Sequence, residues 1–215
     1  MKIEGQGAVV TGASRGLGRA LAEVLAAKGA RVAMVAREAG PLGDAVATIR
    51  ARGGIAHAVV GDIGDKDAVH KIAGQAQGLV GEVGIVIHNA STLGPVPLRL
   101  LLDTECEDLA AVLETNLVGP FRLTKILAGA MALRGNGVVV HLSSDAAVEL
   151  ADTGMRVLAI DPGEMDTKMH ADAIPDADRA TLQRPHVVAA RLVAMIEDAA
   201  RAPSGARLLP AWGTP

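Results

Sequence analysis

Residues 9–18 read Val-Val-Thr-Gly-Ala-Ser-Arg-Gly-Leu-Gly, and their types and spacing point to phosphate binding. Gly12, Gly16 and Gly18 fall between an apolar run, Ala8-Val9-Val10, and an amphipathic one carrying Leu17, Leu21, Val24 and Leu25. Strand, glycine turn and helix, in that order, aim free backbone N–H groups at an anion. Glycine suits such a turn because the backbone bends tightly and meets the ligand with no Cβ between them. Against this stands an absence. None of the 215 residues is tyrosine, a side chain that often moves protons in catalysis. The one cysteine, Cys106, has no neighbouring base that would make it a nucleophile. His57, His70, His170 and His186 are scattered with no metal-ligand spacing.

The elements that must position the glycine turn are legible. Short β-branched runs occur at Gly7–Thr11, Arg31–Ala36, Ala56–Asp62, Val83–Asn89, Gly137–Ser143, Arg156–Asp161 and Ala206–Leu209. Helical patterns lie between them at Leu17–Lys28, Pro41–Arg52, Lys66–Gly78, Thr104–Leu133 and Pro185–Ala200. This alternation predicts an α/β fold, a single doubly wound parallel sheet with helices on both faces. His88 and His141 then belong to inner strands as packed, hydrogen-bonded side chains. Thr104-Glu105-Cys106-Glu107 resembles a capping box, and Pro120 should bend or divide the helix that follows. Pro162–Arg184 reads as a mobile loop over the carboxyl edge of the sheet, where ligands of such folds sit.

One connection breaks the rhythm. Only ten residues, Asp145–Gly154, separate the fifth strand region from the sixth. A parallel crossover usually takes about a dozen residues or more, mostly helical. A six-residue strand is ~20 Å long, and ten helical residues rise only ~15 Å. Ten extended residues reach ~33 Å. The return therefore requires an extended link with one short turn, placed at Ala146–Leu150, and a crossover helix is missing after the fifth strand.

The bulk numbers narrow the function classes. Length and a composition half hydrophobic fit one domain, residues 1–215, with a full core. A net charge of −3 with interspersed signs gives no electrostatic case for nucleic acid or an anionic membrane. No apolar stretch reaches the ~18 residues of a membrane span. A single cysteine and the lack of a signal-peptide pattern at Met1–Gly5 point to a cytoplasmic, reducing location. Phe121 and Trp212 are the only aromatic residues apart from histidine.

Taken in order, the motifs resemble the short-chain dehydrogenase/reductase family over nearly the whole chain. Thr11-Gly-Ala-Ser-Arg-Gly-Leu-Gly18 is similar to that family's Thr-Gly-x-x-x-Gly-x-Gly cofactor turn, which carries Gly12, Ser14, Arg15, Gly16, Leu17 and Gly18 to the cofactor. Asp62-Ile63 resembles the pair that contacts adenine. His88-Asn89-Ala90-Ser91 is similar to Asn-Asn-Ala-Gly with its first and last positions changed. Asn116 matches the helix asparagine that holds a proton-relay water, and Ser144 stands where the catalytic serine belongs. Pro162-Gly163-Glu-Met-Asp-Thr167 resembles the segment that meets the nicotinamide carboxamide. The resemblance implies a Rossmann-like, NAD(P)-dependent oxidoreductase acting on a small carbonyl or alcohol. Arg15 and Arg37, with Ala36 where an acid would hold the 2′-hydroxyl of NAD, favour NADP (NADPH) over NAD.

The departure is large. The family's Tyr-x-x-x-Lys, about a dozen residues after the serine, is absent along with most of its helix. In the implied mechanism the tyrosine protonates the substrate oxygen and the lysine lowers the tyrosine's pKa, so activity should be impaired or lost. That helix also commonly builds a subunit interface, which puts a homo-oligomer in doubt. Asp145, Glu149 or Glu164 could stand in as the acid only with a raised pKa. Lys125 and Lys168 read as solvated. Three explanations remain open: an internal segment omitted from the sequence, a deletion that keeps nucleotide binding, or a divergent enzyme with another acid. A non-catalytic nucleotide-binding or interaction protein is the alternative in a different class.

Overall fold

Valine- and alanine-rich runs become strands because a parallel sheet buries both of their faces. β1 (Gly7–Thr11) is buried at all five positions, and β4 (Val83–His88) at all six. The structure, a computed structural model, describes residues 1–142, 156–199 and 207–208. With β2 (Arg31–Ala36), β3 (Ile55–Val60), β5 (Val138–His141), β6 (Arg156–Ile160) and β7 (Arg207–Leu208), these strands form one parallel sheet. The order is β3-β2-β1-β4-β5-β6-β7. The chain steps outward from β1 to β3, then returns to lay β4 on the other side of β1. The gap between β1 and β4 is therefore the topological switch point.

Helices cover both faces. α1 (Gly16–Ala27), α2 (Ala39–Ala51) and α7 (Pro185–Glu197) pack Leu21, Leu25, Leu42, Ile49, Leu192 and Ile196 into one core with Val10 and Ile87. α3 (Lys66–Val80) and α5 (Gly119–Arg134) pack Ile72, Leu123, Leu127 and Met131 against Val9, Val35, Val86 and Val139 on the other. Val9 and Val10 thus point to opposite layers, as the two-residue period of a strand requires.

The long helical stretch divides as expected near Pro120, into α4 (Cys106–Leu113), a π-helical turn at Glu114–Val118, and α5. Proline fits in the first turn of α5, where no N–H of its own is needed. The capping box does not form. Glu105 holds the N-cap without a side-chain bond, and Thr104 Oγ1 donates to the Leu100 carbonyl at 3.0 Å. The preceding 3-10 turn, Leu101–Asp103, has claimed the hydroxyl. β3 stops at Val60 and β5 at His141, so Asp62 stands beyond its strand. Pro162–Arg184, expected as a loop, contains α6 (Lys168–Ala173), a 3-10 turn at Arg179–Thr181 and a parallel bridge between Met165 and Gln183. Ser143, Ser144, Asp145, Glu149, the turn expected at Ala146–Leu150 and Trp212 lie outside the described residues. No described helix is long and apolar enough to cross a membrane.

Candidate active site

A cleft of about 600 Å³ opens at the carboxyl edge of the sheet, over the β1–β4 switch point. Thr11, fully buried at the end of β1, ties the two strands together. Its hydroxyl donates to the Ile87 carbonyl at 3.4 Å and accepts from the N–H groups of Asn89 at 3.1 Å and Ala90 at 3.0 Å. The Asn89 amide answers by donating to the carbonyls of Thr11 at 3.0 Å and Gly12 at 3.1 Å. Asn89 therefore positions the glycine turn with the same Nδ2 that faces it.

The three glycines do different work. Gly12 has φ +65°, and a Cβ there would stand 2.8 Å from both Ala90 Cα and Asn89 Nδ2. Gly18 is also a packing glycine, since a Cβ would overlap Asn89 Nδ2 and the Gly12 carbonyl. Gly16, at φ +55°, meets only Thr167, whose Cγ2 is 3.6 Å from the Cβ position. A Cβ at Gly16 would therefore clash with nothing, and Gly16 lines the cleft. Arg15, at the N-cap of α1, gives no side-chain cap, and the first turn holds no acid. By contrast Asp65 caps α3, accepting from the N–H groups of Asp67 and Ala68. The α1 N-terminus keeps its amides and its positive dipole end for something outside the helix.

Of the residues expected to hold a nucleotide, Gly12, Ser14, Arg15, Gly16, Leu17, Arg37, Asp62, Ile63, Asn89, Ala90, Pro162, Gly163 and Thr167 all line this cleft; Gly18 does not. Asn116 does not reach it either. Its amide forms a two-point pair with Thr92, accepting from the Thr92 N–H at 2.8 Å and donating to the Thr92 carbonyl at 2.9 Å. Held in the π-helical turn, it fixes the loop after β4, and Thr92 lines the cleft. Gly119 lets that turn approach, because a Cβ would collide with the Ile63 carbonyl.

Charge at the β2–β3 end is mixed. Arg37 Nη1 lies 3.9 Å from Asp62 Oδ2, with both side chains well exposed, a weak pair. Asp62 Oδ1 also accepts from the Gly64 N–H at 2.9 Å. Glu38, at the N-cap of α2, lines the same cleft, an acid next to Arg37 that the sequence reading did not weigh. The far wall comes from Pro162–Ala173. Asp161 accepts from the Gly163 N–H at 2.9 Å, and Thr167 caps α6 by accepting from the His170 N–H at 3.2 Å. Lys168 pairs with Asp172 at the α6 surface.

Beneath the cleft, His88 and His141 pair in register at the ends of β4 and β5, rings stacked with centroids 4.5 Å apart. His88 Nε2 and Thr124 Oγ1 share a hydrogen bond of 2.8 Å, while His88 Nδ1 has none. Burial, and secondarily His141, holds His88 well below the ordinary histidine range; burial lowers His141 as well. His88 is buried and hydrogen-bonded as expected, with its Nδ1 unserved, while His141 is half-buried against it. Thr11, the first residue of the Thr-Gly motif, also lines the cleft; Glu38, Met169 and His170 are cleft residues that the motifs did not single out.

Comparison with known proteins gives this arrangement relatives. A profile of the short chain dehydrogenase family matches residues 6–149. A short chain dehydrogenase of Pseudocercospora fijiensis is 33% identical over 210 aligned positions that take in 83% of this chain and 66% of the fungal protein. The 3-oxoacyl-[acyl-carrier-protein] reductase of Escherichia coli is 30% identical over 205 positions, covering 84% of this chain and 81% of the reductase. Since 84% of 215 residues is about 181, about 24 of those 205 positions face no residue of this chain. Among solved structures, an actinorhodin polyketide ketoreductase with NADPH superposes at a TM-score of 0.83 and 25% identity, over 97% of this chain and 96% of that one.

Proposed function

We propose, for a chain that belongs to the short-chain dehydrogenase/reductase family, that the cleft binds NADP(H) and that carbonyl reduction and alcohol oxidation are impaired or lost. One observation carries the nucleotide half: the glycine turn at an uncapped helix N-terminus lines a cleft at the carboxyl edge of the sheet. The residues present fit a dinucleotide. Gly12, Ser14, Gly16 and Leu17 would hold the pyrophosphate with backbone N–H groups. Asp62 and Ile63 would flank the adenine, with Asn89 and Ala90 between the two halves. Pro162, Gly163 and Thr167 would meet the carboxamide. When bound, the cofactor supplies the hydride.

What this chain's residues do is orient and exclude. Thr11 and Asn89 hold the turn, Asn116 holds the loop at Thr92, and Thr167, the N-cap of α6, stands beside Gly16. What they lack is a proton donor of the family's kind, because the chain has no tyrosine. Two findings support a missing crossover segment. The family profile stops at residue 149, and the alignment with the bacterial reductase leaves about 24 positions without a counterpart. Ser144 would orient a substrate carbonyl but has no partner to protonate it. A non-catalytic nucleotide-binding protein is favoured by the same missing tyrosine.

The choice of NADP rests on Arg15 and Arg37. Glu38 and the Arg37–Asp62 pair oppose it, so the margin is narrow. Calorimetric titration is expected to give tighter binding of NADPH than NADH. Arg37→Ala should weaken NADPH about tenfold, the value of one charged hydrogen bond, and leave NADH unchanged. Equal affinities, or a preference for NADH, would reassign the β2 end to NAD.

A further inference from the structure

Thr11, Ser14, Ser91, Thr92, Thr115 and Thr167 bring hydroxyl groups to the cleft. The fold itself employs most of them. Thr11 serves the β1–β4 clamp, and Thr167 caps α6. Ser91 Oγ donates to Met169 Sδ at 3.5 Å, and Thr92 Oγ1 accepts from the Gly94 N–H at 3.2 Å. The hydroxyls of Ser14 and Thr115 have no hydrogen-bond partner among the described residues, and neither is closed off from solvent. Ser14 belongs to the glycine turn. Thr115 stands beside Asp62 and has no part in the protein's own bonding.

Thr115 is aimed by the π-helical turn at Glu114–Val118. Such turns interrupt an α-helix and are frequent at functional sites. Here adjacent residues address adjacent loops. Asn116 clamps Thr92 after β4, and Thr115 lies against the loop after β3. Two glycines allow that approach. A Cβ on Gly119 would collide with the Ile63 carbonyl, and a Cβ on Gly64 would lie 2.8 Å from Thr115 Oγ1. The same Gly64 position is 3.4 Å from Asp62 Oδ1, so the hydroxyl and the carboxylate flank one point. Asp62 Oδ1 is fixed by the Gly64 N–H at 2.9 Å, and its side chain is 42% exposed. An ionised carboxylate only accepts hydrogen bonds, whereas a threonine hydroxyl can donate one. The pair thus offers an acceptor beside a donor. Adenine presents the complementary edge, a 6-amino donor beside a ring-nitrogen acceptor, and a 6-oxo purine puts an acceptor in place of the amino group.

We infer that Thr115 selects the base of the nucleotide: its hydroxyl donates to a ring nitrogen of adenine while Asp62 accepts from the 6-amino group. The inference rests on the nucleotide reading above and adds a residue and a base preference to it. The π-helical turn then acts as a bracket, with Asn116 holding the loop and Thr115 holding the base.

The test is calorimetric titration of the whole chain with NADPH and with its 6-oxo (hypoxanthine) analogue. Wild type should bind the analogue about tenfold more weakly, the worth of a hydrogen bond to a charged group, because an oxygen then faces Asp62. Thr115→Val keeps the shape without the donor, and should bind NADPH about fivefold more weakly, the worth of one neutral hydrogen bond. Thr115→Ser keeps the hydroxyl and should bind as wild type does. The loss in Thr115→Val should recur with adenosine 2′,5′-bisphosphate, which has no nicotinamide, and so be placed at the adenine end. The wild-type comparison of the two nucleotides needs no variant and holds even where a substitution impairs folding. Equal NADPH affinity in wild type and folded Thr115→Val, or equal affinity of wild type for the two nucleotides, would overturn the assignment while leaving the nucleotide reading intact. Failure of wild type to bind either nucleotide would overturn both.

Discussion

The cleft spans two ends of one strand edge, and the polar groups at those ends are served differently. At the β1–β4 end, Thr11 and Asn89 close the gap with hydrogen bonds between residues more than seventy positions apart. The glycine turn is clamped before any ligand arrives. At the β4–β5 end, two histidines stack side by side, one nitrogen has no partner, and burial keeps both rings neutral. The chain leaves β1 by residues 12–30, with a full crossover helix, whereas residues 143–155 after β5 lie outside the described residues. Residues 142–155 hold no tyrosine and no lysine. On the proposed reading, binding and chemistry occupy neighbouring stretches of one edge, and the first could persist without the residues the second needs.

The most disruptive way to test this contrast is to restore the weaker end. A helix carrying Tyr-x-x-x-Lys inserted between Glu149 and Leu150 is expected to raise carbonyl reduction by about 10²–10⁴-fold, the usual worth of a general acid. The unmodified chain should show little or no reduction across a broad panel of ketones and aldehydes with NADPH. Efficient turnover by the unmodified chain, abolished by substituting Asp145, Glu149 or Glu164, would instead place a substitute acid at that end.

Within the stronger end, two glycines separate packing from ligand contact. Gly12→Ala drives a Cβ against Ala90 and Asn89, and should cost roughly 2–4 kcal/mol of stability through overpacking and left-handed strain. Gly16→Ala has space around it, and should cost only about 1–2 kcal/mol from its positive φ while abolishing detectable nucleotide binding. Urea unfolding read beside calorimetry checks both. Tight NADPH binding by folded Gly16→Ala would remove the phosphate cradle from the account.

The smallest expected effect belongs to the histidine pair. A histidine kept neutral by burial binds fewer protons folded than unfolded. Its contribution is complete above the ordinary value near 6.5 and is lost as pH falls from there toward the depressed folded value. The limiting slope is about 1.4 kcal/mol per pH unit for each ring. Wild type should unfold at lower urea concentration at pH 5.5 than at pH 7.5, and a His88→Gln, His141→Gln double variant should narrow that difference. His57, also lowered by burial and by Arg50, leaves a smaller residual dependence. Equal midpoints for wild type at the two values would mean that the pair is not held neutral.

Much of the fold was legible because its signals are local. Seven strand positions followed from runs such as Val83–Asn89, whose burial on both faces over Val83–Ile87 favours apolar residues. Boundaries slipped where a turn competed with a regular element, as at Thr104 and at the end of β3. The cleft was legible through one turn and a few dipeptides, since glycine is dictated by backbone conformation wherever it is placed. Asn116 shows the limit. Its type and its place in a helix were readable, but its pairing with Thr92 was not.

By itself, then, the sequence determined the alternation of strands and helices, the glycine turn, and the absence of tyrosine. Each depends on residues within one element or one turn, where steric rules and periodicity act. The tertiary structure decided which distant residues meet: Thr11 with Asn89, Arg37 with Asp62, His88 with His141, and α6 with Gly16. Those meetings follow from strand order and register, and are specified by the packing of whole layers rather than by any local pattern. Gly12 and Gly18 look alike in the motif, and only the approach of Asn89 adds a packing reason for a glycine at each.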